Sequence, residues 1–444
     1  MTNIQEIYLQ LLRKAIGFTA IDGAQCTCSI DGGQCTNRPP SAEGIKTVHT
    51  PCSISEQSEW PVLSNPLDLE SLVRLAQIQG TAPLIFDQLL KQQPLSDSPL
   101  KGGELFMQMK QVCMQNMLSY EKHIHLLQQV QTALYQAHLH PVLLKGFGLA
   151  RLYPQPYLRS WGDLDIYVGP DQYHQAAAVL RAAFPQAKHH DEEWEELKHY
   201  NFVLPDGLIE MHRSTIKMEL PRDKRIYYAL EHAGCSAGEQ ITSDGIIFTI
   251  PEAKFNMLFT FMHAWYHFVE EGVGFKQIAD VALLAHQISS QLTMHNAQWI
   301  EYLRTNLRKL HLMQPWQLMG YVCVKYLGLP AVEWPLLGCT INNAQGTMEW
   351  SRWLQKHGEP FAQHVWAEGI ARAKDFGDSK DRYEAREKAK KMNIIVRKWK
   401  TLKSRFRVVQ LVYPYAPVYA CHLLWTILYR GIHRTIRGEK MIDY

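Results

Sequence analysis

The spacing of apolar residues predicts helices in both terminal parts of the chain and strands between them. Apolar positions recur every three or four residues over 66–91 and 104–138, which is the period of an amphipathic helix. Residues 1–22 predict one further helix, and the pattern is again helical from 251 to about 407. A small sheet is therefore expected in the middle of a largely helical protein.

The expected sheet consists of short apolar runs that are bounded by glycine, proline and aspartate. One of them is a hairpin that turns at Asp206-Gly207, a dipeptide typical of tight turns. Helices are predicted between these runs, at 148–153 and 171–184. The predicted strands lie within 141–146, 160–168, 201–212 and 245–250.

Composition and pattern together divide the chain into six segments. They are an N-terminal helix (1–22), a flexible insertion rich in Cys, Gly and Pro (23–60), a helical region (61–140), an α/β core (141–250), a helical C-terminal domain (251–407) and an apolar tail with basic flanks (408–444). The fold class that this organisation predicts is α+β and rich in helix. Its small mixed sheet is embedded between N- and C-terminal helical regions.

The stretch Ser160–Val168 carries the most informative chemistry. Asp163 and Asp165 stand two residues apart at the start of an apolar strand, so both point to the same face, about 6.6 Å apart along the backbone. Acids at a strand end are often simply solvated, but a carboxylate that enters an apolar environment must be neutralised or coordinated. Oxygen ligands suit Mg²⁺ or Mn²⁺.

Neighbouring segments strengthen the metal interpretation. The strand before the Asp pair ends at Lys145-Gly146, and a glycine where a strand turns into a helix lets a phosphate approach the backbone. Glu210 lies on the second strand of the hairpin and is expected one or two strands away from the Asp pair. His212 shares the face of Glu210. A site with two metal ions is the arrangement that these residues suggest.

At these residues the chain resembles the uncharacterised nucleotidyltransferase family of the polymerase-beta-type superfamily. The similarity rests on Leu144-Lys-Gly146, Leu149-Ala-x-Leu-Tyr153 and Leu158-Arg-x-x-Gly-Asp-Leu-Asp165. Weaker matches at 72–84, 209–212 and 274–283 extend it over roughly residues 60 to 290. One departure concerns the superfamily's common Gly-Ser pair, which is Gly146-Phe147 in this chain.

The resemblance implies transfer of a nucleoside monophosphate from an NTP to an acceptor, with release of pyrophosphate. It implies that Asp163, Asp165 and Glu210 are catalytic and hold Mg²⁺ or Mn²⁺. The residues expected to bind the nucleotide are Lys145, Gly146, Arg159 and Gly162, and those expected to support the site or touch substrate are His212, Lys276 and Asp280. The acceptor stays open among a small molecule, a polysaccharide precursor, a peptide, a protein and RNA.

Other functions fit parts of the same pattern. The core could bind a nucleotide without reacting, as a partner protein in a biosynthetic assembly, and a nucleotide-sugar-dependent glycosyltransferase can also use Asp-x-Asp. An EF-hand is excluded because Val168 and His174 stand where that loop needs Gly and Glu. His263 and His267 have metal-ligand spacing but lack the glutamate of a His-Glu-x-x-His motif, so they are interpreted as core histidines.

The balance of charge and the cysteines add little about function. The net charge of +3 gives no general argument for nucleic-acid binding, although basic residues concentrate between Arg372 and Arg407. No export signal is visible, so a cytoplasmic location and reduced thiols are expected. A zinc site is an alternative for the clustered Cys26, Cys28, Cys35 and Cys52, but their spacing is not that of a standard zinc motif.

The apolar stretch 408–429 has no formally charged residue and is nearly long enough to cross a bilayer. Pro414 and Pro417 interrupt it, so a buried C-terminal helix is predicted ahead of a membrane span. Basic residues on both sides keep a weak peripheral membrane contact through 397–437 open.

Overall fold

The computed structural model describes residues 2–18, 66–92, 103–188, 199–270, 272–291, 297–337, 341–343, 346–348, 350–375, 403 and 405–437. The insertion predicted at 23–60, with its four cysteines, lies outside these residues. Most of the basic stretch before Arg407 lies outside them as well.

Helices dominate the described residues and enclose one mixed sheet. The helices are α1 (Asn3–Ala15), α2 (Pro66–Ile78), α3 (Ala82–Gln92), α4 (Glu104–Gln136), α5 (Gly146–Ala150), α6 (Gly169–Ala183), α7 (Pro221–Ser236), α8 (Ala253–Glu270), α9 (Phe275–Gln291), α10 (Ala297–Lys309), α11 (Met313–Leu327), α12 (Trp350–Asp375) and α13 (Pro417–Arg437). The strands are β1 (Val142–Leu143), β2 (Leu164–Tyr167), β3 (His199–Leu204), β4 (Gly207–His212), β5 (Glu239–Ser243), β6 (Ile246–Ile250), β7 (Ile341–Asn343) and β8 (Gly346–Met348).

The main sheet has six strands in the order β3-β4-β2-β1-β6-β5. Strand β2 runs parallel to β4 and antiparallel to β1, while β1 runs parallel to β6. The hairpins β3–β4 and β5–β6 form its two edges. This is the mixed sheet of a helix-rich α+β protein, so the predicted fold class is confirmed.

The two faces of the sheet pack against different groups of helices. Side chains alternate along a strand, and in β2 and β4 the residues Leu164, Ile166, Ile209 and Met211 share one apolar cluster with α4 and α6. The opposite face, which carries Asp165 and Glu210, is turned toward the helical cluster that contains α8 and α9. The polar chemistry is thereby placed between the sheet and the helices that follow it.

The helical part of the molecule is one core built from both ends of the chain. Buried residues of α1, α2 and α3 belong to the same apolar cluster as those of α8 to α12. Arg13 fixes α1 to the end of α11, because its Nε donates to the carbonyl oxygen of Tyr326 and its Nη2 to that of Lys325, both at 2.8 Å.

Several boundaries differ from the sequence predictions. The first helix ends at Ala15 rather than at 22, because Gly17 adopts a φ of 83° and turns the chain. The strand expected over 141–146 is limited to two residues, and the following helix begins at Gly146 rather than at 148. Helix α7, strand β5 and the hairpin β7–β8 were not predicted.

The apolar C-terminal stretch forms two helical pieces, at 405–412 and in α13. They are separated at residues 413–416, next to Pro414 and Pro417, which cannot continue the hydrogen bonding of the first helix. Val412, Ala416, Tyr419 and Ala420 are buried in the helical core. Within the described ranges, none of the helices combines the length and the apolar character that a membrane crossing requires.

Helix α7 packs so closely on α8 that Gly234 leaves no space for a side chain. A Cβ atom at this position would overlap the Cβ and ring of Phe255. We expect Gly234→Ala to lower the free energy of unfolding by about 1–3 kcal/mol, because α8 must shift to relieve the overlap. Gly431→Ala in α13 is the matched control: its added Cβ meets nothing within 4 Å, and the change should stabilise by up to ~1 kcal/mol. Urea denaturation measures both, and equal midpoints would contradict the packing argument.

Candidate active site

The pairing of β2 with β4 brings the predicted acids together. The two strands are parallel, and Asp165 lies directly opposite Glu210 in their register. Asp163 precedes β2 by one residue and faces the same cavity. Carboxylate oxygens of Asp163, Asp165 and Glu210 all lie within 4.8 Å of one another. The sheet therefore converts three acids that are distant in sequence into one cluster.

Asp165 is the buried member of the cluster, with 2% of its surface exposed. Its Oδ1 lies 3.0 Å from Lys145 Nζ and 2.8 Å from His212 Nε2. Burial raises the pKa of Asp165, but the charge of Lys145 and the hydrogen bond from His212 outweigh it, so the net pKa is lowered. Asp165 is thus held as an anion.

Glu210 is partly exposed and belongs to two overlapping groups of candidate ligands. It completes the carboxylate cluster, and it also lies with His199 and His212 in a second group whose ligand atoms are within 4.8 Å of one another. Burial raises the pKa of Glu210. A hydrogen bond with His212 and the proximity of His199 lower it by more, so the net pKa is lowered. An ionised Glu210 suits a cation ligand.

Lys145 and Gly146 form a strained corner between β1 and α5. Both have a φ of 39°, a left-handed value that is uncommon for a lysine. The corner directs Lys145 into the cavity, where Nζ contacts Asp165 and lies 2.7 Å from His263 Nε2. Burial lowers the pKa of Lys145, but the three carboxylates raise it by more, so the net pKa is raised and the ammonium is retained.

Phe147, which stands where the resemblance led us to expect a serine, has a structural role. Its ring is buried between Tyr120, Trp161 and Phe248, with centroids 5.4–6.0 Å away. The side chain therefore points into the core of the sheet rather than toward the cavity. Contacts to phosphate on this loop are left to its backbone amides and to Lys145.

Arg159 is held by Asp280 from helix α9. Its Nε and Nη2 donate to the two carboxylate oxygens at 2.8 and 2.7 Å, and Tyr153 donates its hydroxyl to the same carboxylate at 2.8 Å. All three side chains are buried. The bidentate bridge fixes α9 against the loop before β2.

Asp163, Asp165, the strained corner and helices α8 and α9 line a cavity of about 210 Å³, and Glu210 adjoins this lining as the neighbour of Asp165 on β4. Lys276 lies on its α9 wall, and burial together with the positive charge of Arg159 lowers the pKa of Lys276 to about 8. Gly162 lies at its edge, and its carbonyl oxygen is 2.8 Å from His123 Nε2 of α4. The other lining residues are Leu149, Thr260, His263, Ala264, His267 and Gln277.

Every site residue proposed from the sequence lies in or beside this cavity, but some of its neighbours were missed. His263 and His267 line the cavity, so their interpretation as core histidines was wrong. His199 was overlooked: the predicted turn at Asp206-Gly207 would set Asn201 opposite His212, whereas the observed loop is Pro205-Asp206 and sets His199 there. Thr260 and Gln277 gave no signal, since a polar residue on an apolar helix is common.

Comparison with known proteins gives one match along the sequence. A family model described as an uncharacterised nucleotidyltransferase matches residues 65–328, a range that contains all the site residues above. No curated protein matches the chain. Among solved structures, an antigenic nucleotidyltransferase-like protein from Paracoccidioides brasiliensis is similar at 12% sequence identity over 40% of this chain and 84% of that chain. Its TM-score of 0.26 is too low to carry an argument.

The different surroundings of the two aspartates predict different effects on stability. Asp165→Asn leaves the buried Lys145 ammonium without its closest counter-charge, and we expect a loss of up to about 3 kcal/mol in the free energy of unfolding. Asp163→Asn changes a half-exposed acid that forms no ion pair with the residues the structure describes, so a change of about 0.5 kcal/mol or less is expected. Denaturation in EDTA measures both, and equal losses would contradict the assigned role of Lys145.

Proposed function

Because the chain belongs to the family of uncharacterised nucleotidyltransferases, we propose that it is a metal-dependent enzyme that transfers an NMP group from an NTP to an acceptor. The observation that carries the proposal is the cluster of Asp163, Asp165 and Glu210, two members of which line the cavity. Acids can cluster without a catalytic role, but here a lysine, a strained glycine corner and a second lysine line the same cavity. Those groups are what a triphosphate requires.

The donor set fits a divalent cation. Three carboxylates offer hard oxygen ligands, and Mg²⁺ or Mn²⁺ are the ions that such ligands select. Asp163, Asp165 and Glu210 would hold the metal, with His212 keeping Asp165 oriented through its hydrogen bond. When bound, the metal would neutralise charge on the phosphates and acidify the attacking hydroxyl.

The proposed reaction is a displacement at the α-phosphorus of the NTP. A bond forms between the acceptor oxygen and the α-phosphorus, the bond to the β-phosphate oxygen breaks, and pyrophosphate leaves with the electron pair. Glu210 faces the acceptor side and assists removal of the hydroxyl proton. Its lowered pKa makes it a weak base, so ligation is its main task.

Positive groups in the cavity would bind the phosphate chain. Lys145 and the backbone amides at Gly146 lie on one wall, and Lys276 lies on the other. Arg159 is engaged by Asp280, so we assign it chiefly to holding the loop of Gly162 in place. The cavity is smaller than the ~300–1,000 Å³ of pockets that enclose a whole ligand, so it suits the phosphates and metal rather than the base.

Loss of one acid should abolish the transfer without unfolding the protein. We expect Asp163→Asn to reduce the rate of pyrophosphate release by at least about a thousandfold, because charge stabilisation of the transition state is lost. Purified protein would be incubated with each labelled NTP, Mg²⁺ or Mn²⁺, and cell extract as the source of acceptor. The labelled product identifies the acceptor, and EDTA should remove all transfer.

The control is Gln287→Ala on the outer part of α9, which should retain wild-type rates. If Asp163→Asn transfers as well as the wild type, the assignment is wrong. Nucleotide binding without pyrophosphate release would instead indicate a non-catalytic binding protein, and consumption of a nucleotide sugar would indicate a glycosyltransferase.

The low pKa of Lys276 predicts how nucleotide binding depends on pH. With a pKa of about 8 in the free protein, Lys276 loses its charge as the pH rises through that value. If the ammonium binds phosphate, the Kd of a non-hydrolysable NTP analogue should be roughly tenfold higher at pH 9 than at pH 7. Lys276→Arg should remove this dependence because a guanidinium stays charged, and Lys276→Met should bind weakly at both values. Wild-type affinity in Lys276→Met would contradict the role.

A further inference from the structure

Helix α13 presents a continuous apolar stripe to the outside of the molecule. Val418, Trp425, Leu428 and Ile432 are 54%, 60%, 43% and 60% exposed, and Cys421 is exposed between them. Their spacing of three and four residues places all five on one side of the helix. A tryptophan and an isoleucine with more than half of their surface exposed on the same helix face are unusual for a monomeric protein.

The other side of α13 is firmly attached to the molecule. His422 Nε2 lies 2.7 Å from Asp223 Oδ2, and Arg430 Nη1 lies 3.1 Å from Glu219 Oε1. Tyr419 and Ala420 are buried in the helical core. The stripe is therefore held outward by contacts on the opposite face, and rotation of the helix cannot bury it.

The apolar surface continues beyond the helix. Tyr413, in the turn before α13, is 57% exposed, and Phe406 in the preceding helical piece is 38% exposed. A shallow cleft of about 530 Å³ lies between His311 and the start of α13, and Tyr413, Val418 and Trp425 line it. Aromatic and aliphatic groups thus form one surface along the C-terminal helices.

The charge of this region indicates what covers the stripe. From Lys388 to Gly438 the chain has twelve lysines and arginines and no aspartate or glutamate. Lys403 and Arg407, next to Phe406, are exposed. Such a segment attracts an anionic partner. The phosphates of a nucleic acid would pair with the basic residues but would not cover the apolar stripe. An anionic lipid surface matches both the positive charge and the apolar side chains.

We propose that α13 and the helical piece before it form a membrane-binding face that lies in the plane of an anionic lipid surface. The apolar side chains of the stripe enter the boundary between headgroups and acyl chains, with Trp425 at the depth that tryptophan favours. The surrounding lysines and arginines contact lipid phosphates. The catalytic cavity then works beside the membrane, and the proposal is independent of the reaction carried out there.

Vesicle co-sedimentation of the full chain tests the proposal. Binding to mixed phosphatidylcholine–phosphatidylglycerol vesicles should be at least about tenfold tighter than to phosphatidylcholine alone, and it should weaken as salt is raised. The double variant Trp425→Glu with Ile432→Glu should lose about tenfold or more of this binding. Val332→Glu is the matched control, because Val332 is 79% exposed and lies outside α13. It should bind as the wild type does.

A second measurement keeps the test decisive if the double variant does not fold. Brominated lipid should quench part of the wild-type tryptophan fluorescence, and Trp425→Phe should remove that part. The proposal is overturned if Trp425→Phe is quenched as much as the wild type. It is equally overturned if the wild type and a folded double variant bind vesicles equally well. A third outcome also overturns it: the wild type does not bind vesicles but forms a dimer, and Ile432→Glu makes that dimer monomeric. The stripe would then be an interface with a second copy of the chain.

Discussion

The candidate active site depends on the parallel pairing of β2 with β4. That register sets Asp165 against Glu210, and a shift by one residue would turn one of the two acids into the apolar cluster on the opposite face. The alternation of Leu164, Ile166, Ile209 and Met211 opposes such a shift, because these side chains must remain buried. The hydrophobic effect on one face of the sheet therefore fixes the electrostatics on the other.

Lys145 balances the charge of the buried Asp165. Its ammonium contacts the Asp165 carboxylate directly and is also stabilised by the negative charges of Asp163 and Glu210. The left-handed backbone at Lys145 directs this side chain into the cavity. Backbone strain of this type is common where a site must be pre-organised. The corner, the acids and the α9 helix that Arg159 and Asp280 hold form one rigid unit.

The acids of the site could be predicted from the sequence because local signals specify them. The Asp-x-Asp pair, the Asp206-Gly207 turn and the Lys145-Gly146 corner each combine a spacing with a physical reason. His263 could not be predicted, since its contact with Lys145 joins residues 118 apart and depends on how α8 crosses the sheet. The pairing of Asp280 with Arg159, 121 residues apart, could not be predicted for the same reason.

The attachment of α1 has a consequence for how the protein is made. Arg13 binds carbonyl groups that lie 312 and 313 residues further along the chain, so these partners of α1 are synthesised long after it. Contacts of such long range form late and slow the search for the native state. Until then α2 and α3 can cover part of α1, and the part of its apolar face that meets α11 is left for chaperones to shield during translation.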